Sequence, residues 1–377
     1  MSGSPATIAR VEVRSVAPDA PRYRYTDLLP EVYKTTTIVR VFDRDGYEGV
    51  GAYDSDSYDA HDLAPLEALR VIAARLVGRD AYDREVLWHE LREHGTSPFM
   101  PAEFSAVDVA LWDLIARRAD LPLHRFLGGA RHEITAYASV PTLPDTGAYV
   151  DAMADWLGQG FRAVKFHAWC DPDRDVEMLR VVAAKYEGRG LALMHDAEQL
   201  YDRRAALFVG RALDELSFRW FEAPLPDRDL DGYARLRERV TVPLLPAGNI
   251  VWELHDVRDA LTRRAWDAVR FDVTWAGGVT PALKLFALAE AHAMDVELLS
   301  YGHTLVQAAN LHVALAFRNT SFFEQAVPVE DFEFGALNPI RVDDRGRVRA
   351  PDGAGLGIEL DWERLDAATL ASFSTPE

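Results

Sequence analysis

AVKFHAW (163–169), LALMHDAEQ (191–199), RWFEAPLP (219–226), LLPAGNI (244–250), VRFDVTWAGG (269–278), ELLSYGH (297–303) and SFFEQAVP (321–328) succeed one another between Phe161 and Glu324. Each is a short apolar run ending in a polar or charged residue. Asp196, Glu222, Asn249, Asp272, His303 and Glu324 stand 26, 27, 23, 31 and 21 residues apart. One strand, one helix and two loops take about that much chain, so a polar group recurs once per βα unit. Polar groups at the C-terminal ends of successive parallel strands converge on one mouth of a (β/α)₈ barrel. Strands are expected at 134–140, 162–168, 191–195, 218–222, 243–247, 268–272, 296–300 and 320–324. Helices fill the gaps, among them 146–159, 173–187 and 279–293. No Gly-rich dinucleotide fingerprint or phosphate loop follows any strand, which disfavours an open nucleotide-binding sheet.

The chain before the barrel reads differently. TIARVEVRSV (7–16) and TTIVRVFDRDGYEGVGAY (36–53) alternate apolar and polar residues, with Asp45-Gly46 as a hairpin signal. Pro21–Tyr33 between them is a loop rich in Arg and Tyr. Residues 61–92 and 102–119 have helical spacing, and Val107, Leu111, Leu114 and Ile115 form one apolar stripe. These elements define an α+β domain over 1–130. The C-terminal 340–377, with a turn at Asp343–Gly346, is expected to return and pack on it, leaving 131–339 as the barrel.

Of 377 residues, 49% are hydrophobic, enough to fold both domains. The net charge of −19 argues against a nucleic-acid or anionic-membrane partner. An anionic small molecule stays compatible, because a bound metal reverses the field inside a cleft. One cysteine, Cys170, excludes an internal disulfide. The first residues lack a signal-peptide core, and no apolar run reaches the roughly 18 residues of a membrane span. A cytoplasmic protein is the expectation.

Asp196, Glu222 and Asn249 end three consecutive strands and offer only oxygen donors, which suits a hard divalent cation, Mg²⁺ first. Each alone would read as a helix cap or a salt-bridge partner. Lys165 and His167, two apart on one strand, point to the same face, and a Lys–x–His pair inside a barrel is costly to bury unless it meets an anion. Asp272 and His303 lie at neighbouring strand ends and are expected to pair, the carboxylate fixing the imidazole tautomer of a general base or acid. Glu324 could bond the substrate opposite the metal, or form a salt bridge in the barrel floor. Cys170 carries little weight, since no base beside it is evident. Tyr23, Tyr25, Tyr33, Tyr53 and Tyr58 are candidates for lining a lid.

SAVDVALWDLIARRADLPLHRFLGG (105–129) resembles the helix and hinge joining the two domains of the enolase superfamily. The series KFH, HDAE, FEAP, AGN, FDVTWAGGVT, YGH and FEQ is similar to the strand ends of its mandelate racemase branch. The resemblance implies a modified (β/α)₇β barrel under an α+β cap whose loops close over the substrate. It further implies Mg²⁺, removal of the proton α to a carboxylate to give an enediolate, and homo-oligomeric assembly. By motif, Asp196, Glu222 and Asn249 match the metal ligands, Asp272 and His303 the His–Asp dyad, and Glu324 the acid facing the substrate carboxylate. Lys165 matches the first lysine of the family's Lys–x–Lys pair. Two positions depart from that pattern. His167 stands for the second lysine, as base or as acid for a departing hydroxyl. Asn249 stands for a third carboxylate, leaving more positive charge on the metal. Dehydration of an acid sugar (an aldonate or aldarate) to a 2-keto-3-deoxy acid is the expectation. Racemisation or epimerisation of a 2-hydroxy acid is the alternative, followed by a barrel that binds without turnover and by a Schiff-base lyase using Lys165.

Overall fold

A computed structural model of the chain describes residues 5–19, 22, 24–58, 60–93 and 101–376. The first sheet holds β1 (Ile8–Val16), β2 (Tyr33–Asp43) and β3 (Glu48–Ser57), antiparallel, with Gly46 at φ +88° in the β2–β3 turn. The helical spacing over 61–92 resolves into α1 (Ala64–Leu76) and α2 (Arg84–Glu93). The helix breaks because the chain between them bonds to the start of β1: Ile8 N–H donates to Arg79 O (2.8 Å) and Gly78 N–H to Ile8 O (2.8 Å). α3 (Pro101–Arg118) buries Val107, Leu111, Leu114 and Ile115. It lies against β3 closely enough that a Cβ on Gly51 would sit 2.1 Å from Ala106 O, so the alternating glycines of EGVGAY admit the helix backbone. The short α4 (Leu123–Phe126) leads into the barrel.

The barrel strands are β4 (Glu133–Val140), β5 (Ala163–His167), β6 (Ala192–Asp196), β7 (Trp220–Glu222), β8 (Leu244–Leu245), β9 (Ala268–Phe271), β10 (Asp295–Leu298) and β11 (Phe322–Ala326). Between consecutive strands run α5 (Thr146–Gly158), α6 (Pro172–Lys185), α7 (Arg203–Glu215), α8 (Leu230–Arg237), α9 (Leu254–Thr262), α10 (Val279–Ala291) and α11 (Thr304–Ala316). Eight strands and seven helices make the (β/α)₇β arrangement. Parallel ladders run β11-β4-β5-β6-β7-β8, and β9 pairs with β10. Single backbone bonds join the two sheets into a curled barrel, from Asp267 N–H to Leu244 O (2.9 Å) and from Val296 N–H to Asn319 O (2.7 Å). Each strand falls where the apolar runs place it. β8 is the shortest, because Pro243 and Pro246 flank it and cannot donate to a ladder.

After β11 the chain crosses back. β12 (Arg347–Arg349) pairs antiparallel with β4, α12 (Trp362–Ala367) follows, and β13 (Thr369–Thr375) covers the outer edge of β1.

Candidate active site

β5 presents Lys165 and His167 on one face, as alternation requires, and both are buried. Lys165 Nζ donates to Asp196 Oδ2 (3.0 Å) and Glu222 Oε1 (2.8 Å) and lies 3.0 Å from Glu324 Oε1. Burial would drive the ammonium to lose its proton, but Glu222 and Glu324 outweigh it and hold its pKa well above the usual lysine value. Lys165 therefore sits among the carboxylates beneath the cavity.

One residue that the strand-end spacing passes over, Arg270, completes this floor. It is fully buried, with Nε 2.8 Å from Glu222 Oε1 and a guanidinium N–H donating to Glu324 Oε2 (3.0 Å). It stands two before Asp272 on the same strand face, which was the available signal. Glu324 also accepts from Ser139 Oγ (2.7 Å) and Ser300 N–H (2.8 Å). Burial raises the Glu324 carboxyl, yet Lys165 and Arg270 bring it down to about 2, so it is ionised.

Above the floor, Asp196, Glu222, Asn249, Asp272 and Glu324 line one cavity of about 330 Å³. The turn into Asn249 is tied by Asp227, which accepts from Ala247 N–H (2.8 Å) and Gly248 N–H (3.2 Å). Asn249 Oδ1 accepts from Gln199 (3.3 Å). Burial pushes Glu222 up to about 8, helped by Asp196, while Lys165 and His167 overcome burial and hold Asp196 well below the carboxylate range. Two carboxylates and an amide oxygen on the same cavity form an all-oxygen donor set. The residues fit a hard divalent cation. A different grouping, His167, Asp196 and Glu198, has its ligating atoms within 4.8 Å of one another. Hydrogen bonding argues that it is an ion-pair cluster. His167 Nδ1 faces Val140 O (2.7 Å) while Nε2 lies 3.2 Å from Asp196 and 3.1 Å from Glu198, so acceptors surround both ring nitrogens. Despite burial, those two carboxylates raise the imidazole to about 10. His167 is thus held as a donor, which of its two expected roles favours the acid over the base.

The pair expected between Asp272 and His303 is not formed. Asp272 Oδ1 accepts instead from Thr274 N–H (2.6 Å), Thr274 Oγ1 (2.8 Å) and Asn310 (2.9 Å). His303, at the start of α11, turns to Asp54 on β3 of the cap: its backbone N–H donates to Asp54 Oδ2 (2.7 Å), and its Nδ1 lies 2.9 Å from the same oxygen. Thr36 Oγ1 donates to Asp54 Oδ1 (2.6 Å). Burial raises Asp54, but His303 and Lys34 reverse the shift and hold it well below the usual range. His303 Nε2 is buried and has no hydrogen-bond partner among the described residues.

The cap supplies Tyr25, Leu29, Lys34, Asp54, Asp56 and Tyr58 to the cavity wall. Of the five tyrosines expected at a lid, Tyr25 and Tyr58 line it. Tyr33 stacks edge-on with His61 and Tyr53 packs on Trp275, while Tyr23 lies outside the described residues. Burial pushes the Cys170 thiol well above the usual cysteine value, in keeping with an inert cysteine.

A two-domain molecule with a (β/α)₇β barrel, an α+β cap and strand-end carboxylates is the architecture of enolase-like enzymes. Residues 148–364 match the model for enolase C-terminal domain-like proteins, and residues 30–128 match that for the mandelate racemase/muconate lactonizing enzyme N-terminal domain. The chain belongs to the enolase superfamily, in its mandelate racemase/muconate lactonizing enzyme group. It is 28% identical to an arabinonate dehydratase of Saccharolobus solfataricus, over 84% of this chain and 86% of that one. It is 32% identical to a 3,6-anhydro-alpha-L-galactonate cycloisomerase of Streptomyces coelicolor, over 87% of this chain and 89% of that one. A D-glucarate dehydratase from Agrobacterium tumefaciens, solved in complex with magnesium, superposes with a TM-score of 0.83 at 26% identity, covering 98% of this chain and 100% of that one. Among the described residues, no helix is long and apolar enough to cross a membrane.

Proposed function

We propose that the protein is a magnesium-dependent acid-sugar dehydratase, converting a 2,3-dihydroxy acid to a 2-keto-3-deoxy acid with loss of water. The observation that carries this reading is His303, whose Nδ1 is fixed by Asp54 while its buried Nε2 is left without a partner. With the Nδ1 proton directed at Asp54, Nε2 presents its lone pair to accept a proton from carbon. Asp196, Glu222 and Asn249 are the residues that would hold Mg²⁺, which when bound lowers the cost of charge developing on the substrate carboxylate. The α-proton passes to His303 Nε2. His167 Nε2–H, on β5, is placed by its carboxylate neighbours as a donor and gives a proton to the C3 hydroxyl, which leaves as water. The ketone forms when the resulting enol takes up a proton at C3. Relatives that include an acid-sugar dehydratase and a sugar-acid cycloisomerase support chemistry that begins by removing an α-proton.

The test is a screen of acid sugars with Mg²⁺ in D₂O, following 2-keto acid and C2 deuterium together. Keto acid from at least one configuration is expected, and none in excess chelator. Deuterium at C2 without keto acid, from any acid tried, would point to racemisation and contradict the reading.

A further inference from the structure

On the cap side of the cavity, Asp54 and Asp56 alternate on β3 and face the barrel, with Lys34 beside them on β2. The described lining contains seven carboxylates (Asp54, Asp56, Asp196, Glu198, Glu222, Asp272 and Glu324) and two cationic side chains, Lys34 and His167. Both cations are already engaged. His167 is paired with Asp196 and Glu198, and Lys34 Nζ lies 3.1 Å from Asp56 Oδ1 and donates to Tyr301 O (3.4 Å). Burial works against the Lys34 charge, but Asp56 and Asp54 more than restore it. Asp56 Oδ2 accepts from Tyr25 Oη (2.8 Å), and Oδ1 is ion-paired with Lys34. Each oxygen of the Asp56 carboxylate keeps a lone pair for one more donor from the cavity. A substrate hydroxyl can donate to it; a carboxylate has no proton to give and would meet like charge.

We propose that the substrate is a sugar monoacid, an aldonate, whose single carboxylate lies at the Asp196–Glu222–Asn249 end and whose hydroxylated far end donates to Asp56 beside Tyr25 and Tyr58. This rests on the acid-sugar reading and narrows it. Asp56 sets specificity in two ways: it accepts from a distal hydroxyl, and it occupies Lys34, which would otherwise pair with the second carboxylate of an aldarate.

Calorimetric titration of the Mg²⁺-loaded protein with aldonate/aldarate pairs that differ only at C6 tests this without relying on turnover. At least one aldonate is expected to bind tenfold or more tightly than its aldarate. Equal or tighter binding by the aldarates, or binding by neither class, overturns the proposal. Keto acid is assayed in the same samples. An aldonate that binds without giving keto acid sustains this inference while removing the dehydratase reading, and keto acid from a tightly bound aldarate does the reverse. The Asp56→Asn variant is expected to weaken the aldonate and strengthen the aldarate, moving the preference at least tenfold towards the diacid. A folded variant, by circular dichroism, with an unmoved preference would contradict the role of Asp56.

Discussion

His303 owes its orientation to one carboxylate that binds it twice, through the backbone N–H and through Nδ1. In Asp54→Asn an amide can donate to Nδ1 and so select the tautomer with the proton on Nε2, which is no longer a base. We expect kcat to fall by about 10²–10⁴-fold, the usual worth of a positioned acid–base group, with Mg²⁺ affinity changed little. A variant of near wild-type kcat would show that Asp54 does not act through His303. This partner was hidden in the sequence. Asp54 lies 249 residues from His303 and in the other domain, so strand-end spacing, which finds Asp272, has no means of finding it. Spacing does find Asp196, Glu222 and Asn249, which share one cavity, and alternation along VRFD points to Arg270 as it does along KFH to Lys165. Glu198 was out of reach because it follows β6 at φ +50°, where strand alternation no longer says where a side chain points.

α4, α11 and the C-terminal return meet at a buried histidine on α11. His312 Nδ1 accepts the backbone N–H of His124 (3.0 Å), and its Nε2–H donates to Leu356 O (3.1 Å). That arrangement requires the neutral ring, because a proton on Nδ1 would oppose the His124 N–H. Burial, with His124 nearby, lowers the pKa to about 3. The unfolded chain therefore binds this proton near the reference value of about 6.5 while the folded one does not. The stability this site provides is whole above about pH 6.5 and is lost as pH falls towards 3, at up to ~1.4 kcal/mol per pH unit. His312→Asn should flatten urea-unfolding stability between pH 7 and 5 relative to wild type; an unchanged slope would remove His312 from the acid response. Element types were legible because periodicity switches from 2 to 3.6 and back with each unit. Their ends were less so. The break between α1 and α2 depends on backbone bonds to β1, and the two residues of β8 depend on flanking prolines, neither of which apolar spacing records.

At the scale of the molecule, the cap and barrel line one cavity from opposite sides: the barrel strand ends carry Asp196, Glu222 and Asn249, and β2 and β3 carry Lys34, Asp54 and Asp56. If Asp196, Glu222 and Asn249 hold Mg²⁺, the fold should respond to it. A ligand that binds only the native state stabilises it by RT ln(1 + [L]/Kd), about 2.7 kcal/mol at a hundred times Kd. Thermal melts are expected to rise with Mg²⁺ and return in chelator, and Glu222→Gln should blunt the rise. A melting curve indifferent to Mg²⁺, together with no heat of binding, would contradict the metal assignment. The C-terminal strand ties the two ends together by covering β1, which otherwise presents an open edge.

His303, held from the cap, is the group proposed to remove the proton α to a sugar-acid carboxylate. The most direct measurement is NMR of wild type and His303→Asn side by side with Mg²⁺ and the acid sugars in D₂O, watching the C2 proton and the 2-keto product. Keto acid is expected from wild type, and neither product nor C2 exchange from a folded, Mg²⁺-binding variant. Turnover by His303→Asn at the wild-type rate would contradict it.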